Sequence, residues 1–158
     1  MDNSETQLSV RRATRADLSC LLDLYQHLIA GDERPEDPVA REAFERFLAY
    51  AGSAIFLGEI GGVLVASCTL VVIPNLTRGA RPYALIENVV THGDHRRRGY
   101  GRTLLDRAVE VAWQAGCYKV MLLTGSQDPS TLRFYSGAGF MQTKTGFQKR
   151  RIAARPAI

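Results

Sequence analysis

Residues 91–112 read THGDHRRRGYGRTLLDRAVEVA, in which Arg96, Arg97 and Arg98 and the spaced glycines Gly99 and Gly101 stand directly before a run with helical periodicity. Leu104, Leu105, Ala108, Val111, Ala112 and Ala115 recur as an apolar helical stripe, so the helix starts near residues 98–102. The first turn of a helix presents N–H groups without intrahelical partners and carries partial positive charge. Glycine there leaves nothing to hold a ligand off the backbone. Arginines alongside, Arg102 included, supply charge-assisted hydrogen bonds. This is chemistry for an anion, and a pyrophosphate fits it. The plainer alternative is a tight turn beside a solvated arginine face.

Two further residues have proton chemistry. Glu87 interrupts the apolar stretch ALIENVV, residues 84–90, and a buried carboxylate is costly unless paired, hydrated or at work. It is the kind of group that relieves a protonated amine of its proton, and pairing with an arginine is the competing explanation. The two-residue period of a strand turns Asn88 to the opposite face, where it is structural. Tyr135, in FYSGAGF at residues 134–140, can protonate or stabilise a leaving anion, or can be an amphipathic core residue. Phe134 and Phe140 are expected in the core, and Trp113 is expected to pack its helix. His27, His92 and His95 lack ligand spacing and carboxylate partners, so a metal site is not expected; His92 and His95 border the arginine loop and are expected to be exposed. Cys20, Cys68 and Cys117 are odd in number without a CxxC pair, which points to reduced intracellular thiols.

The elements that must position these residues follow from periodicity. A strand at 8–12 leads to a helix over 18–29 with Thr14 and Asp17 at its start. The polar breaker GDERPEDP, residues 31–38, precedes a second helix from Val39 to about Gly52. Strands at 54–60 and 63–73 flank Gly61 and Gly62, a two-residue hairpin signal. A loop at 74–82, a strand at 83–91, the helix over 98–115, a strand at 118–123, a short helix at 129–136 and a strand pair from about residue 140 complete the order. The result is a mixed sheet with helices on both faces. With 158 residues, 46% hydrophobic and 23% charged, the chain is expected to be one soluble domain with flexible ends at 1–7 and 152–158. The N-terminus has neither a basic nor an apolar leader region, and no window is long and apolar enough for a membrane span, so cytoplasm is the expectation. The net charge of +4 is mild, and the arginine cluster has little aromatic interleaving, which places nucleic-acid binding last.

The loop excludes some families: GxxxxGK[ST] is absent, and the third glycine of GxGxxG is missing. Arg96-x-x-Gly99-x-Gly101 after a strand does resemble the acyl-coenzyme A loop of the Gcn5-related N-acetyltransferases. FYSGAGF resembles that family's second signature. IENVV and GCYKVML resemble in particular its branch containing glucosamine-6-phosphate N-acetyltransferase.

The resemblance implies an α/β domain with a mostly antiparallel twisted sheet, splayed between its fourth and fifth strands. It implies an enzyme that moves acetyl from acetyl-coenzyme A, as cosubstrate and without a metal, to a primary amine. A small molecule such as an amino sugar is the expected acceptor. Arg96, Arg97, Arg98, Gly99, Tyr100, Gly101, Arg102 and Thr103 would hold the cosubstrate, with backbone N–H groups on the pyrophosphate. Val89 and Val90 would pair with the pantetheine arm as with an added strand. Glu87 would take the amine proton and Tyr135 would serve the leaving thiolate. Asp128 stands where the family often has asparagine. Ser126, Gln127 and Asp128 line the acceptor pocket on this view, or form a loop with Asp128 as helix cap. The acidic cluster Asp32, Glu33, Glu36 and Asp37 attracts a cationic amine or is a solvated turn. Homodimers are frequent in the branch. The competing functions are peptide acetylation and acyl-coenzyme A sensing without turnover.

Overall fold

The computed structural model describes residues 7–153. Apart from Gln7, Ile152 and Ala153, the ends expected to be flexible lie outside the described residues. The chain divides into two compact units between Thr124 and Gly125.

The first unit is built on a five-stranded sheet in the order β1 (Ser9–Arg12), β2 (Ala54–Ile60), β3 (Val63–Ile73), β4 (Tyr83–Thr91) and β5 (Val120–Leu122). The first four strands are antiparallel neighbours, and β5 runs parallel to β4. Gly61 and Gly62 make the β2–β3 turn with φ of +55° and +79°, a conformation that only glycine adopts without strain. Helix α1 (Leu18–Tyr25) is shorter than its periodicity suggests, because residues 26–28 continue as turns bonded three residues back. Helix α2 (Asp37–Leu48) starts earlier than Val39, since Pro38 suits a first turn and Glu36 before it is extended. The loop after β3 holds one irregular turn, α3 (Thr77–Ala80), in which Arg78 and Gly79 are left-handed.

Both faces of the sheet are covered. Leu21 of α1 and Phe44 of α2 pack with Ile55 and Leu57 on one face. On the other, Cys68 reaches the Leu104 carbonyl of α4 (Tyr100–Gln114) at 3.5 Å, beside fully buried Ala66 and Leu70. Truncating a side chain as buried as Leu57 costs about 2–5 kcal/mol, so these layers hold β3 and β4 firmly. Trp113, expected to pack α4, is instead 52% exposed, because it projects roughly a quarter-turn beyond the apolar stripe ending at Ala112. Pairing between β4 and β5 covers only Ala84 with Val120, Leu85 with Met121 and Ile86 with Leu122. β5 ends at Leu122, so from Glu87 onward β4 has no strand on that side among the described residues, and the sheet is open there.

The second unit carries α5 (Pro129–Gly137). The strand pair expected from residue 140 does not form among the described residues. Met141, Phe147 and Ile152 are 82%, 96% and 82% exposed, so the segment buries no face, and a lone hairpin without one is marginal in water. Among the described residues no helix is long and apolar enough to cross a membrane.

Candidate functional site

The open end of β4 is shaped by a bulge. Thr69 pairs with Glu87 and Ser67 with Val90, so Cys68 alone faces both Asn88 and Val89. Asn88 takes φ of +50°, a left-handed conformation that asparagine tolerates better than most residues. Residues paired directly across antiparallel strands share a face, so Glu87 lies on the side of Thr69, toward α1. Asn88 does not turn away as strict alternation would require. Its side chain interacts with the Tyr25 hydroxyl, as do those of Ser67 and Thr69, which puts Asn88 on the α1 side too. Glu87, expected as a buried carboxylate, is instead exposed, so water hydrates its charge, and it makes no ion pair with an arginine among the described residues. Val89 is half-buried and Val90 buried, and both follow the point where β5 departs.

Beyond β4 the chain enters the arginine loop. Arg96 donates to the Thr91 carbonyl at 3.3 Å and the His27 carbonyl at 3.0 Å, so it ties the loop to the end of α1. Arg97 is left-handed with φ of +60°, and Arg98 donates to the Asp94 carbonyl at 3.4 Å. Gly99 caps α4 with φ of +83°, and a Cβ added there would meet nothing within 4 Å. The Thr103 amide closes the first intrahelical bond on the Gly99 carbonyl at 3.1 Å, and the Thr103 hydroxyl also donates to it at 3.3 Å. The N–H groups of Tyr100 and Gly101 precede that bond and point out of the helix start. An open glycine cradle, a helix N-terminus and flanking guanidinium groups fit a pyrophosphate. Arg102 folds back along α4 to bond Asp106 at 2.9 and 3.0 Å.

His27, from the segment after α1, meets His92 and His95 at the start of this loop. The rings of His27 and His92 lie 3.9 Å apart, His92 and His95 lie 5.6 Å apart, and His95 approaches Tyr100 at 6.5 Å. His92 and His95 are half-buried rather than exposed as expected. His27 and His92 accept from the Gly93 and Asp94 amides at 3.3 and 3.2 Å, which sets them as struts of the loop. No group of His, Cys, Asp and Glu among the described residues is arranged to hold a metal. The buried Cys68 thiol is pushed up to about 12 by desolvation, and burial raises Cys117 as well, so neither is a ready nucleophile. A separate cleft of about 450 Å³ opens between α1 and α2, with Arg15, Arg34, Arg41 and Glu45 on its walls, and takes no lining from β4 or the arginine loop.

In the second unit Asp128 is the cap of α5. Its carboxylate accepts from the Ser130 amide at 2.8 Å, and that bond holds its pKa below the usual carboxylate value. Ser126 is tied to the same turn, receiving the Asp128 amide at 3.2 Å and lying 3.3 Å from the Thr131 hydroxyl. The cap reading thus accounts for this segment. Tyr135 is half-buried between Phe134, at 5.1 Å, and Phe140, set edge-on at 6.4 Å. Phe134, expected in the core, is at the surface, and it flanks the tyrosine instead.

Tyr25 and the bulge at Asn88 were not singled out from sequence. An asparagine inside an apolar strand, poor for strands and tolerant of left-handed backbone, was the available signal.

Comparison with known proteins matches residues 21–140 to the family described as Acetyltransferase (GNAT) family. A glucosamine 6-phosphate N-acetyltransferase of Trypanosoma brucei brucei is 32% identical, over 84% of this chain and 88% of its own length. The L-amino acid N-acyltransferase MnaT of Escherichia coli strain K12 is 25% identical, over 86% of this chain and 81% of its own. Among solved structures, a putative acetyltransferase from Agrobacterium tumefaciens str. C58 is 51% identical and superposes with a TM-score of 0.86, covering 90% of this chain and 99% of that one.

Proposed function

The chain belongs to the GNAT acetyltransferase family, and from that premise we propose that it is an N-acetyltransferase that uses acetyl-coenzyme A to acetylate the primary amine of a small molecule, an amino sugar foremost. The observation that carries the reading is the left-handed Gly99 at the start of α4, placed after a strand whose far end is unpaired on the β5 side among the described residues. A pyrophosphate on the Tyr100 and Gly101 amides would leave the pantetheine arm to run along Val89 and Val90, the unpaired edge of β4. The amino-sugar preference is supported by the glucosamine 6-phosphate N-acetyltransferase relative and by the motifs around Glu87.

On this reading the acceptor arrives as an ammonium ion and gives one proton to Glu87, directly or through water. Its nitrogen then attacks the thioester carbonyl carbon, a C–N bond forms, the C–S bond breaks as the thiolate takes a proton from Tyr135, and the second proton that the nitrogen loses on becoming an amide passes through water to restore the Tyr135 hydroxyl. For Glu87 the support is an exposed, unpaired carboxylate beside the bulge. For Tyr135 it is the resemblance of its helix to the family signature. The three free cysteines accord with a cytoplasmic setting.

The test is thiol release from acetyl-coenzyme A across amino sugars, amino acids, polyamines, aminoglycosides and short peptides. Release stimulated by an amino sugar is the expected result. Tight binding of acetyl-coenzyme A without amine-stimulated release would make the protein a sensor, and stimulation by peptides alone would make it a protein acetyltransferase.

A further inference from the structure

The α1 side of the bulge contains an unusual polar knot. Ser67 is 0% and Thr69 5% exposed, yet neither hydroxyl oxygen has a partner at hydrogen-bonding geometry. Buried hydroxyls without partners are rare in folded proteins, and where they persist they attend strain or function. Both lie near the Tyr25 hydroxyl, as neighbours within electrostatic reach rather than as partners, and the Asn88 side chain is the fourth member. Burial raises the Tyr25 pKa, so the phenol keeps its proton near neutral pH and can donate. Tyr25 is the last residue of α1, immediately before the segment that places His27 against Arg96 and Gly93.

Asn88 is the hinge of this arrangement. A non-glycine residue in the left-handed region is strained and persists only where its surroundings hold it. The groups on either side of it are those the proposed reaction uses: Glu87 before, Val89 and Val90 after. We infer that Tyr25 is a positioning residue: from α1, its hydroxyl set among Ser67, Thr69 and Asn88 holds Asn88 left-handed, and so fixes the direction of Glu87 and of the β4 edge that receives the acyl donor. The inference rests on the acetyltransferase reading for its functional consequence, but its structural part stands alone.

The test compares Tyr25→Phe in two backgrounds, the native chain and Asn88→Gly, because glycine adopts the left-handed conformation without help. Two readouts are taken on the full chain: coenzyme A affinity by calorimetry, and hydrogen exchange at the amides of residues 87–90 without ligand. In the native background Tyr25→Phe is expected to weaken coenzyme A binding about tenfold, the scale of a loosened strained residue, and to speed exchange at the bulge. In the Asn88→Gly background the same substitution is expected to change neither readout by more than about twofold, since nothing is left for the hydroxyl to hold. A merely structural tyrosine would lower the melting temperature equally in both backgrounds and weaken binding by equal factors, and that result overturns the inference. So does unchanged exchange at residues 87–90 in the native background. If the native chain fails to bind coenzyme A, the acetyltransferase reading falls, and the exchange comparison alone decides the role of Tyr25.

Discussion

Two polar regions of the first unit differ in how their donors and acceptors are used. Where β1 meets α1, Arg11 donates to Asp17 at 2.8 and 2.7 Å and to Glu59 at 2.5 Å, while Asp17 also accepts from the Thr14 amide at 2.7 Å and its hydroxyl at 3.0 Å. Every strong group there is answered from within the chain. At the open end of β4, Asn88, Arg97 and Gly99 are left-handed, Glu87 has no ion-pair partner among the described residues, and the Ser67 and Thr69 hydroxyls and His95 Nδ1 are buried without partners. The first region is closed and holds the fold together. The second spends strain and keeps polar groups in reserve, which is how a protein is arranged when something else is to complete it.

This contrast breaks if substitutions at the open end and in the second unit's tyrosine helix change stability rather than activity. The largest expected effect is that of Tyr135→Phe, which deletes one hydroxyl and keeps the ring between Phe134 and Phe140. Loss of a general acid is expected to lower kcat about 100-fold with KM and melting temperature nearly unchanged. Steady-state kinetics with the best amine, beside a thermal melt, checks it, and a normal kcat would return Tyr135 to packing. Glu87→Gln comes next, with kcat/KM expected to fall about 30-fold at neutral pH and to recover partly in alkaline buffer, where more of the amine arrives unprotonated. A pH profile of kcat/KM for both proteins separates that outcome from a pH-independent loss, which would mark Glu87 as structural. Gly99→Val affects the loop itself. The free protein has room for the side chain, so the penalty there is backbone strain of about 1–2 kcal/mol, whereas coenzyme A affinity is expected to drop about tenfold because the new side chain projects into the open cradle. Calorimetry with coenzyme A and a urea titration read the two parts independently.

The same contrast explains what could be read from sequence. The β2–β3 hairpin was legible because two adjacent glycines at a turn have one common use, and the helix after the arginine loop was legible because its apolar stripe repeats over about three turns. These are local rules. The bulge at Asn88 was not legible as geometry, since strict alternation assigns each strand residue a face, and the departure shows only once β4 is paired with β3, whose Cys68 faces two of its residues. The meeting of His27 with His92 and the unanswered hydroxyls of Ser67 and Thr69 depend on tertiary packing in the same way. The expected terminal strands failed for the converse reason: pairing needs a neighbour and a face to bury, and the basic, polar run around Lys144, Lys149, Arg150 and Arg151 offers neither. The residue types of the candidate site were therefore readable, while the backbone irregularity that aims them was not.

The closed corner supplies the smallest effect and the control for the rest. The Arg11 guanidinium, bonded to the Asp17 carboxylate, holds that carboxyl well below the usual range, with the Thr14 amide and hydroxyl assisting. Asp17→Asn keeps the shape but removes the charge-assisted bonds, and with Arg11 partly exposed to solvent the loss is expected to be about 1–2 kcal/mol at pH 7, with kcat and KM unchanged. The sign of its pH dependence follows from the depressed pKa. The unfolded chain protonates Asp17 near pH 4 and the folded chain only at lower pH, so the stabilisation is complete above about pH 5 and is lost as pH falls through the folded value. Urea titrations of both proteins are expected to show a gap at pH 7 that narrows by pH 2.5. A gap independent of pH would mean that Asp17 stabilises through packing and hydrogen bonding alone, and any change in kcat from this substitution would show that the two ends of the sheet are coupled rather than divided between holding and receiving.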